Sequence, residues 1–174
     1  MKRPVILVIA HPGETAMPEE TPKKSMRASR VSLAQFMQPE HANPLGNIHG
    51  GWIMKLVDEC GALACMRHAR TRVVTVVMDQ MTFRQPIKVG DLVTLTAEVT
   101  YTGRTSLEAE VLVEAENPIT GVKTHTNRAY LVFVALDEQG HPVAVPALEP
   151  ETPEEVTRLE AARQRQALRL QREL

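Results

Sequence analysis

Residues 43–69 read NPLGNIHGGWIMKLVDECGALACMRHA, and this stretch decides the architecture of the chain. The pattern predicts a helix over 51–69, because apolar and small side chains fill it and only Lys55, Asp58 and Glu59 interrupt the run from Trp52 to Met66. A helix that is apolar on most sides is expected to be buried. A buried carboxylate is costly unless a salt bridge, a hydrogen-bond network or an active site holds it. Asp58 is therefore the first candidate functional residue.

The segments on either side of this helix predict strands. Residues 30–38 alternate, with Val31, Leu33 and Gln35 on one face. Four longer β-type segments follow the helix, and the connections at 102–106 and 117–121 are short enough for antiparallel hairpins. The apolar helix predicted over 51–69 is fully covered only if a sheet curls around it or a second copy of the chain packs on it. The sequence predicts an α+β fold with a long central helix wrapped by a curled antiparallel sheet; the four later strands are expected at 73–83, 92–102, 106–116 and 125–137.

The two ends of the chain differ from this middle part. Residues 1–28 contain many prolines and charges, which predicts a flexible leader before a domain at 29–150. In the remaining segment, 151–174, Thr152 is a suitable N-cap and Pro153 suits the first turn of a helix. We expect a surface helix that is either exposed or packed on a neighbouring subunit. Its thin apolar stripe consists of Val156, Leu159, Ala167, Leu170 and Leu174.

The composition excludes several classes of function. Among 174 residues, 20 Lys and Arg nearly balance 21 Asp and Glu, so no excess of basic charge favours nucleic acid or a membrane surface. The longest apolar runs are too short for a membrane span, and the start of the chain does not fit a secretory signal. Two cysteines without CxxC spacing indicate free thiols and a cytoplasmic protein. The histidines show no metal-binding spacing, so no metal is expected; those considered are His41, His49, His68 and His125.

The start of the helix suggests how a carbonyl substrate would be held. Glycines there leave free N–H groups at the positive end of the helix, so Gly50 or Gly51 could stabilise an oxyanion, although glycines at such a position also serve ordinary tight turns. Gly51 and Asp58 are seven residues apart, about 10 Å along a helix. One carbonyl cannot contact both, so we expect two antiparallel helices in a dimer to share each site. A purely structural Asp58 and a turn role for Asn43 before Pro44 remain alternatives.

Three separated stretches resemble one known family. They are NPLGNIHGGWIMKLVDECGA at 43–62, TGRTSLEAEVLVEAE at 102–116 and NRAYLVFVALDEQGHPVAVPAL at 127–148, and they are similar to the hotdog-fold acyl-CoA thioesterases of the acyl-CoA hydrolase branch. The resemblance implies a dimer, usually within a trimer of dimers. It also implies hydrolysis of acyl-CoA to free acid and coenzyme A, as part of fatty acid metabolism, without a metal or redox cofactor. Asn43 and Asp58 match the catalytic residues of this family, and residues 49–51 match its HGG element.

Asp58 would then act as a general base or as a nucleophile. His49 and Trp52 are candidates for lining the substrate. Several residues could also contact coenzyme A, although each is individually more typical of a solvated turn. A non-catalytic acyl-CoA-binding regulator and an acyl-thioester hydratase or dehydratase are the competing functions; the latter normally uses a His with an acidic partner, and no such pair is evident. The candidate coenzyme A contacts are Arg84, Lys88, Gly103, Arg104, Thr105 and Ser106.

Overall fold

A computed structural model describes residues 22–79, 81, 83 and 85–172 of the chain. Two 20-residue helices, seven strands and two short 3-10 helices, Arg27–Ser29 and Pro39–His41, make up this part. In chain order the elements are β1 (Lys23–Ser25), β2 (Val31–Phe36), α1 (Gly50–Ala69), β3 (Arg72–Met78), β4 (Leu92–Thr102), β5 (Ser106–Glu116), β6 (Lys123–Leu136), β7 (Ala147–Glu149) and α2 (Pro153–Arg172).

The main sheet has five antiparallel strands in the order β2-β4-β5-β6-β3. The predicted α+β hotdog architecture is confirmed, and β4 and β5 have the predicted bounds. The strand expected at 73–83 is shorter, because β3 ends at Met78. A bulge also separates Thr75 from Val77, since the register against β6 shifts there. Such a bulge bends an edge strand and changes where its side chains point.

Helix α1 packs against the inner face of this sheet. The odd-numbered residues of β4 and β5 face it, and fully buried residues such as Leu95 and Val111 form the core. Gly61 lies in the middle of α1 because a Cβ atom there would come within 3.1 Å of the Phe133 ring of β6. Arg70 ends the helix in the left-handed conformation, with φ of 60°, and its N–H bonds to the Met66 carbonyl. The close approach of α1 to strand β6 therefore accounts for the glycine at position 61.

The sheet does not cover α1 completely. Met54 and Leu63 are 41% and 43% exposed, although the composition predicted a helix buried on most sides. Val74 and Val76 on the neighbouring edge strand β3 are equally exposed. A single chain therefore leaves separate apolar side chains exposed on α1 and on its edge strand. Cys60 and Cys65 lie on the covered side as free thiols, and burial raises the pKa of Cys60 to about 11, which keeps it protonated at neutral pH.

The prediction of a flexible leader over 1–28 is wrong for its last residues, 23–28, which belong to the folded part of the chain. Strand β1 pairs in parallel with β7, the Met26 side chain is fully buried, and the Ser29 hydroxyl accepts the N–H of Val99 at 2.9 Å. Burial of Met26 and backbone pairing compensate for the entropy of ordering this segment. Residues 1–21 lie outside the described part of the chain.

Helix α2 packs on the outer face of its own sheet. Thr152 is its N-cap as predicted, accepting the Glu155 N–H at 3.2 Å. Of the predicted apolar stripe, Leu159 is buried as expected, but Val156 and Leu170 are exposed and Ala167 also faces solvent; Leu174 lies outside the described residues. The inward face instead carries arginines that bind glutamates of the sheet. No helix in the described part of the chain is both long and apolar enough to cross a membrane.

Candidate active site

The start of α1 is organised by His49. Its ring Nδ1 accepts the N–H of Gly51 at 2.9 Å, and its carbonyl accepts the N–H of Trp52 at 2.9 Å. The suggestion that Gly51 N–H would hold an oxyanion is therefore not supported, since His49 already uses that donor. The N–H of Gly50 has no partner among the described residues. Gly50 is thus the donor that the helix N-terminus leaves available for a ligand.

An apolar pocket of about 350 Å³ adjoins Gly50. The ring of Phe83 would lie 3.3 Å from a Cβ atom placed on Gly50, so a larger residue there would press on that ring. Apart from Gln85, the side chains around the pocket are apolar, as expected for a site that receives a hydrocarbon group. The lining residues are Ile48, Gly50, Ile53, Phe83, Gln85, Pro86 and Ile87.

Asp58 lies two turns further along α1, on the side that faces strand β3. In the single chain it is half-buried rather than buried, because the sheet ends at β3. Its Oδ1 accepts a hydrogen bond from the Thr75 hydroxyl at 2.6 Å. Neither the backbone nor Lys55 holds the carboxylate, since Lys55 pairs with Glu59 at 2.6 Å. Asp58 is therefore oriented by one hydroxyl and keeps a second oxygen for other chemistry.

Thr75 was missed in the sequence analysis. It is the only polar side chain within VVTVV at 73–77, an apolar strand. It directly precedes the bulge in β3, where a change in register redirects side chains. A hydroxyl-bearing residue in an otherwise apolar edge strand was the available signal, but its contact with Asp58 depends on tertiary structure.

Asn43 has the turn role that was weighed as its alternative. Its Oδ1 accepts the N–H groups of Leu45 at 2.9 Å and Asn47 at 3.3 Å, and its backbone N–H binds the Asn47 carbonyl. Within the described part of the chain, the two N–H donors of its side-chain amide have no partner. The turn therefore fixes the oxygen end of Asn43 and leaves its amide donors for a ligand or a second chain.

Trp52 packs inside the chain at the start of α1. Its ring stacks on His41 with centroids 4.2 Å apart, and His41 is itself held by the N–H of Gln38. Lys55 Nζ lies 5.3 Å from the Trp52 ring centroid. These contacts give the predicted substrate-lining Trp52 a structural partner, and the ring remains half-buried.

The predicted coenzyme A contacts lie at opposite ends of the molecule. Lys88 pairs with Asn47 near the start of α1, whereas Arg84 lies outside the described residues. The turn 103–106 lies at the other end, where its Thr105 carbonyl accepts the Ala135 N–H close to the end of α1. A 20-residue helix is about 30 Å long. One chain therefore does not bring the 103–106 turn, formed by Gly103, Arg104, Thr105 and Ser106, next to Gly50.

Comparison with known proteins places this arrangement in a family. Residues 45–122 match the thioesterase superfamily. The chain is 32% identical over 156 residues to the mouse cytosolic acyl coenzyme A thioester hydrolase; the match covers 88% of this chain but only 41% of the mouse protein. The chain thus spans about two fifths of the length of that relative.

Two solved structures are similar over nearly their whole length. An apo-hexameric acyl-CoA thioesterase is 39% identical, with a TM-score of 0.83 over 87% of this chain and 97% of that one. The Staphylococcus aureus acyl-CoA hydrolase, solved with butyryl coenzyme A and coenzyme A, is 34% identical, with a TM-score of 0.81 over 87% and 93%. Alanine variants of that enzyme at an aspartate, an asparagine and a threonine have also been solved. This chain belongs to the thioesterase superfamily, in its hotdog-fold branch of acyl-CoA thioester hydrolases.

Proposed function

We propose that the chain hydrolyses the thioester of fatty acyl-CoA to a free acid and coenzyme A. The observation that carries this proposal is the hydrogen bond between Asp58 and Thr75. The three alanine substitutions in the S. aureus enzyme are separated by 15 and 17 residues. Asn43, Asp58 and Thr75 have the same order, residue types and separations. Sequence spacing thus supports all three residues, and contact within the chain supports Asp58 and Thr75.

Asp58 supplies the activated nucleophile. In the general-base route its free carboxylate oxygen takes a proton from water, and the water oxygen attacks the thioester carbon. In the nucleophilic route that oxygen attacks the carbon itself and forms an anhydride, which water then opens. Thr75 holds the other oxygen in both routes. Transfer of heavy oxygen from labelled water into the Asp58 carboxylate marks the nucleophilic route.

Gly50 stabilises the intermediate, and the leaving group needs little help. The carbonyl oxygen becomes an oxyanion when the carbon is attacked, and the free N–H of Gly50 at the positive end of α1 donates to it. The C–S bond then breaks. Because a thiol ionises near pH 8.5, coenzyme A leaves as a thiolate without a strong acid. The apolar pocket beside Gly50 receives the hydrocarbon part of the substrate.

Each active site is shared by two chains. Gly50 and Asp58 are eight residues apart, about 12 Å along α1, so one substrate carbonyl cannot contact both in the same chain. Two antiparallel α1 helices would bring Gly50 of one chain to Asp58 of the other. The exposed Met54, one turn before Asp58 on the same side of α1, supports this pairing, as does the unpaired backbone of the edge strand β3. We further propose a trimer of dimers, because the similar acyl-CoA thioesterase is hexameric.

The same pairing gives the distant coenzyme A candidates a role. Antiparallel helices place the end of one α1 beyond the start of the other, which carries the 103–106 turn of one chain towards the Gly50 end of its partner. Arg104 in that turn is exposed and available for a phosphate, and Lys88 lies on the Gly50 side. Arg84 remains a sequence-based candidate.

The proposed reaction needs water and no redox partner. In the described residues no cluster of three His, Cys, Asp or Glu side chains is arranged to hold a metal ion. Hydrolysis without a metal or redox cofactor stays a prediction, with coenzyme A entering only as part of the substrate and product. The name of the mouse relative supports a cytosolic location, and a role in fatty acid metabolism stays a prediction.

Release of free thiol from a series of acyl-CoAs of increasing chain length tests the function. We expect rapid release by the wild type and a loss of about 100-fold or more in Asp58→Asn, since a positioned base contributes this much. Glu59→Gln is the matched control, because Glu59 is the next carboxylate on α1 and pairs only with Lys55 at the surface. Tight binding of acyl-CoA without thiol release would instead favour the non-catalytic regulator, and loss in both variants would remove the special role of Asp58.

A further inference from the structure

Among the described residues, Arg169 of the C-terminal helix bonds to Asp79, the residue that follows strand β3. Arg169 donates from Nε to Asp79 Oδ1 at 3.2 Å and from Nη2 to Asp79 Oδ2 at 2.6 Å. The same Nη2 donates to Glu108 Oε2 at 2.5 Å. Asp79 directly follows β3, the edge strand that carries Thr75, whereas Glu108 belongs to the central strand β5. Arg169 therefore ties the end of the edge strand to the middle of the sheet.

A second arginine of α2 holds the neighbour of Asp79 on β6. The N–H of Asp79 binds the Tyr130 carbonyl at 3.0 Å, which is the last backbone bond of the β3 edge. Arg165 lies 3.7 Å from the centroid of the Tyr130 ring, and the Tyr130 hydroxyl donates to Glu110 at 2.9 Å. Both groups that fix where β3 ends, the Asp79 carboxylate and Tyr130, are thus bound by arginines of α2.

The contacts between α2 and the sheet are mostly ionic, whereas helices ordinarily pack through apolar side chains. The buried apolar residues of α2 are Leu159 and Ala162, while Glu108 beneath the helix is 1% exposed and also accepts the Thr100 hydroxyl. Replacing a buried ion pair with apolar residues is often neutral or stabilising, so such a pair is weak evidence for a role in stability. A bidentate guanidinium does, however, fix the position of the carboxylate that it binds.

We infer that Arg169 is a positioning residue for the thioesterase site, acting through Asp79 on the end of β3. The strand leads back to Thr75, which orients Asp58, and the chain beyond Asp79 reaches Phe83, which packs on Gly50. Asp79 lies between the residue that orients the base and the residue that shapes the substrate pocket. This inference rests on the proposed function, because both of those residues belong to the proposed site.

Arg158 provides a matched control within the same helix. It also bridges two carboxylates, with Nη1 2.5 Å from Glu98 and Nη2 2.8 Å from Glu110. Both of these partners lie on β4 and β5, and among the described residues Arg158 makes no hydrogen bond or ion pair with β3; its nearest link is indirect, through the hydrogen bond between Glu110 and Tyr130. If the arginines only attach α2 to the sheet, Arg158→Gln and Arg169→Gln should have similar effects. If Arg169 positions β3, only its variant should alter catalysis.

The kinetic experiment compares both variants at equal folded fraction and equal oligomeric state. Arg169→Gln should lower kcat/KM for acyl-CoA by about 10- to 100-fold, the size expected for a misplacement of about 1 Å in an active site. Arg158→Gln should stay close to the wild type. Asp79→Asn should reproduce the defect, and the double variant should be no worse than either single one, because both remove the same contact. Equal kinetics for the Arg158 and Arg169 variants would overturn the inference.

Amide hydrogen exchange supplies a measurement that does not depend on activity. Peptides containing Val77 to Asp79 should exchange faster in Arg169→Gln than in the wild type, with no such change in Arg158→Gln. Unchanged exchange in those peptides would also overturn the inference, whatever the kinetics. Absence of thiol release in the wild type, with faster exchange in Arg169→Gln alone, would refute the proposed function and leave the contact between Arg169 and β3 supported.

Discussion

Helices α1 and α2 are each 20 residues long and lie on opposite faces of the same sheet, but they are held by different forces. Helix α1 packs apolar side chains such as Val57 and Ile53 against apolar strands. Helix α2 turns Arg158, Arg165 and Arg169 towards buried glutamates, and it buries Leu159 while exposing Leu168 and Leu170. An apolar periodicity therefore identifies the packed face of α1 and misidentifies that of α2.

The packed face of α1 is determined by its own residues, whereas that of α2 is determined by residues elsewhere in the sequence. The inner face of α1 is set by transfer of apolar surface from water, which depends on residue type and can be seen in one sequence. The inner face of α2 is set by pairing with Glu98, Glu108 and Glu110, which are far away in sequence. In the sequence these three glutamates alternate with apolar residues on two adjacent strands, and the same pattern is typical of a sheet face exposed to solvent. The sequence alone therefore does not indicate that α2 covers them.

The largest effect should come from removing the charge beneath α2. Glu108→Gln leaves Arg165 and Arg169 facing a neutral amide in a site nearly closed to water, so we expect a loss of about 3 kcal/mol in unfolding free energy. Glu116→Gln on the same strand is the control, because it pairs at the partly exposed surface with Lys123 and should cost less than about 1 kcal/mol. Urea unfolding at fixed protein concentration measures both. Equal small losses would show that α2 is not held by its ion pairs.

A smaller effect is expected from crowding the inner face of α1. Gly61→Val should lose about 2 kcal/mol in urea unfolding, because the added methyl groups press on the Phe133 ring. Phe133→Leu shortens that side chain and opens space at the contact. The double variant should therefore be more stable than the sum of the two single losses predicts. Simple additivity would mean that the close contact between Gly61 and Phe133 does not limit the helix.

The smallest effect is a pH dependence from His68 at the end of α1. Burial and the nearby Lys24 charge lower the pKa of His68 from its ordinary 6.5, although the hydrogen bond to the Pro146 carbonyl opposes this. The unfolded chain then binds a proton more readily than the folded one below pH 6.5, so stability falls as the pH decreases from there.

The slope due to this one residue cannot exceed about 1.4 kcal/mol per pH unit. His68→Gln should flatten the fall in melting temperature between neutral pH and about pH 5, the range in which an ordinary histidine gains its proton. His141→Gln is the control, because His141 is largely exposed, and it should keep the wild-type slope. Identical slopes in all three proteins would exclude His68 as the source.

Much of the fold could be predicted because the apolar or polar character of a residue indicates whether its side chain is buried or exposed. The alternation in β4 and β5 and the apolar run of α1 follow from burial alone. The end of β3 and the order of the segment before Val31 depend on partners distant in sequence, Tyr130 and β7, and so were predicted wrongly. Burial of Met26 and the pairing of the three residues of β1 with β7 order a segment whose composition predicted a flexible leader.

The candidate site shows the same division. Asp58 was recognisable as a carboxylate in an apolar helix, and Gly50 as a glycine at a helix start. The hydrogen bond from Gly51 to His49 could not be foreseen, because it depends on the rotamer of the capping ring. Thr75 could not be assigned either, since a bulge in β3 and the facing turn of α1 bring it to Asp58.

The central claim is that each active site combines residues of two chains, and mixed assemblies test it most directly. Asn43→Ala and Asp58→Asn chains, each inactive alone, are co-expressed with different tags, and assemblies carrying both tags are isolated. If Asn43 and Asp58 of one site come from different chains, a mixed dimer has one intact site. In a trimer of dimers with random pairing, about half of the dimers are mixed, so these assemblies should recover about one quarter of the wild-type rate of thiol release; isolated mixed dimers should recover about one half. If mixed assemblies form and remain as inactive as either variant alone, both residues act within one chain and the shared-site account is wrong.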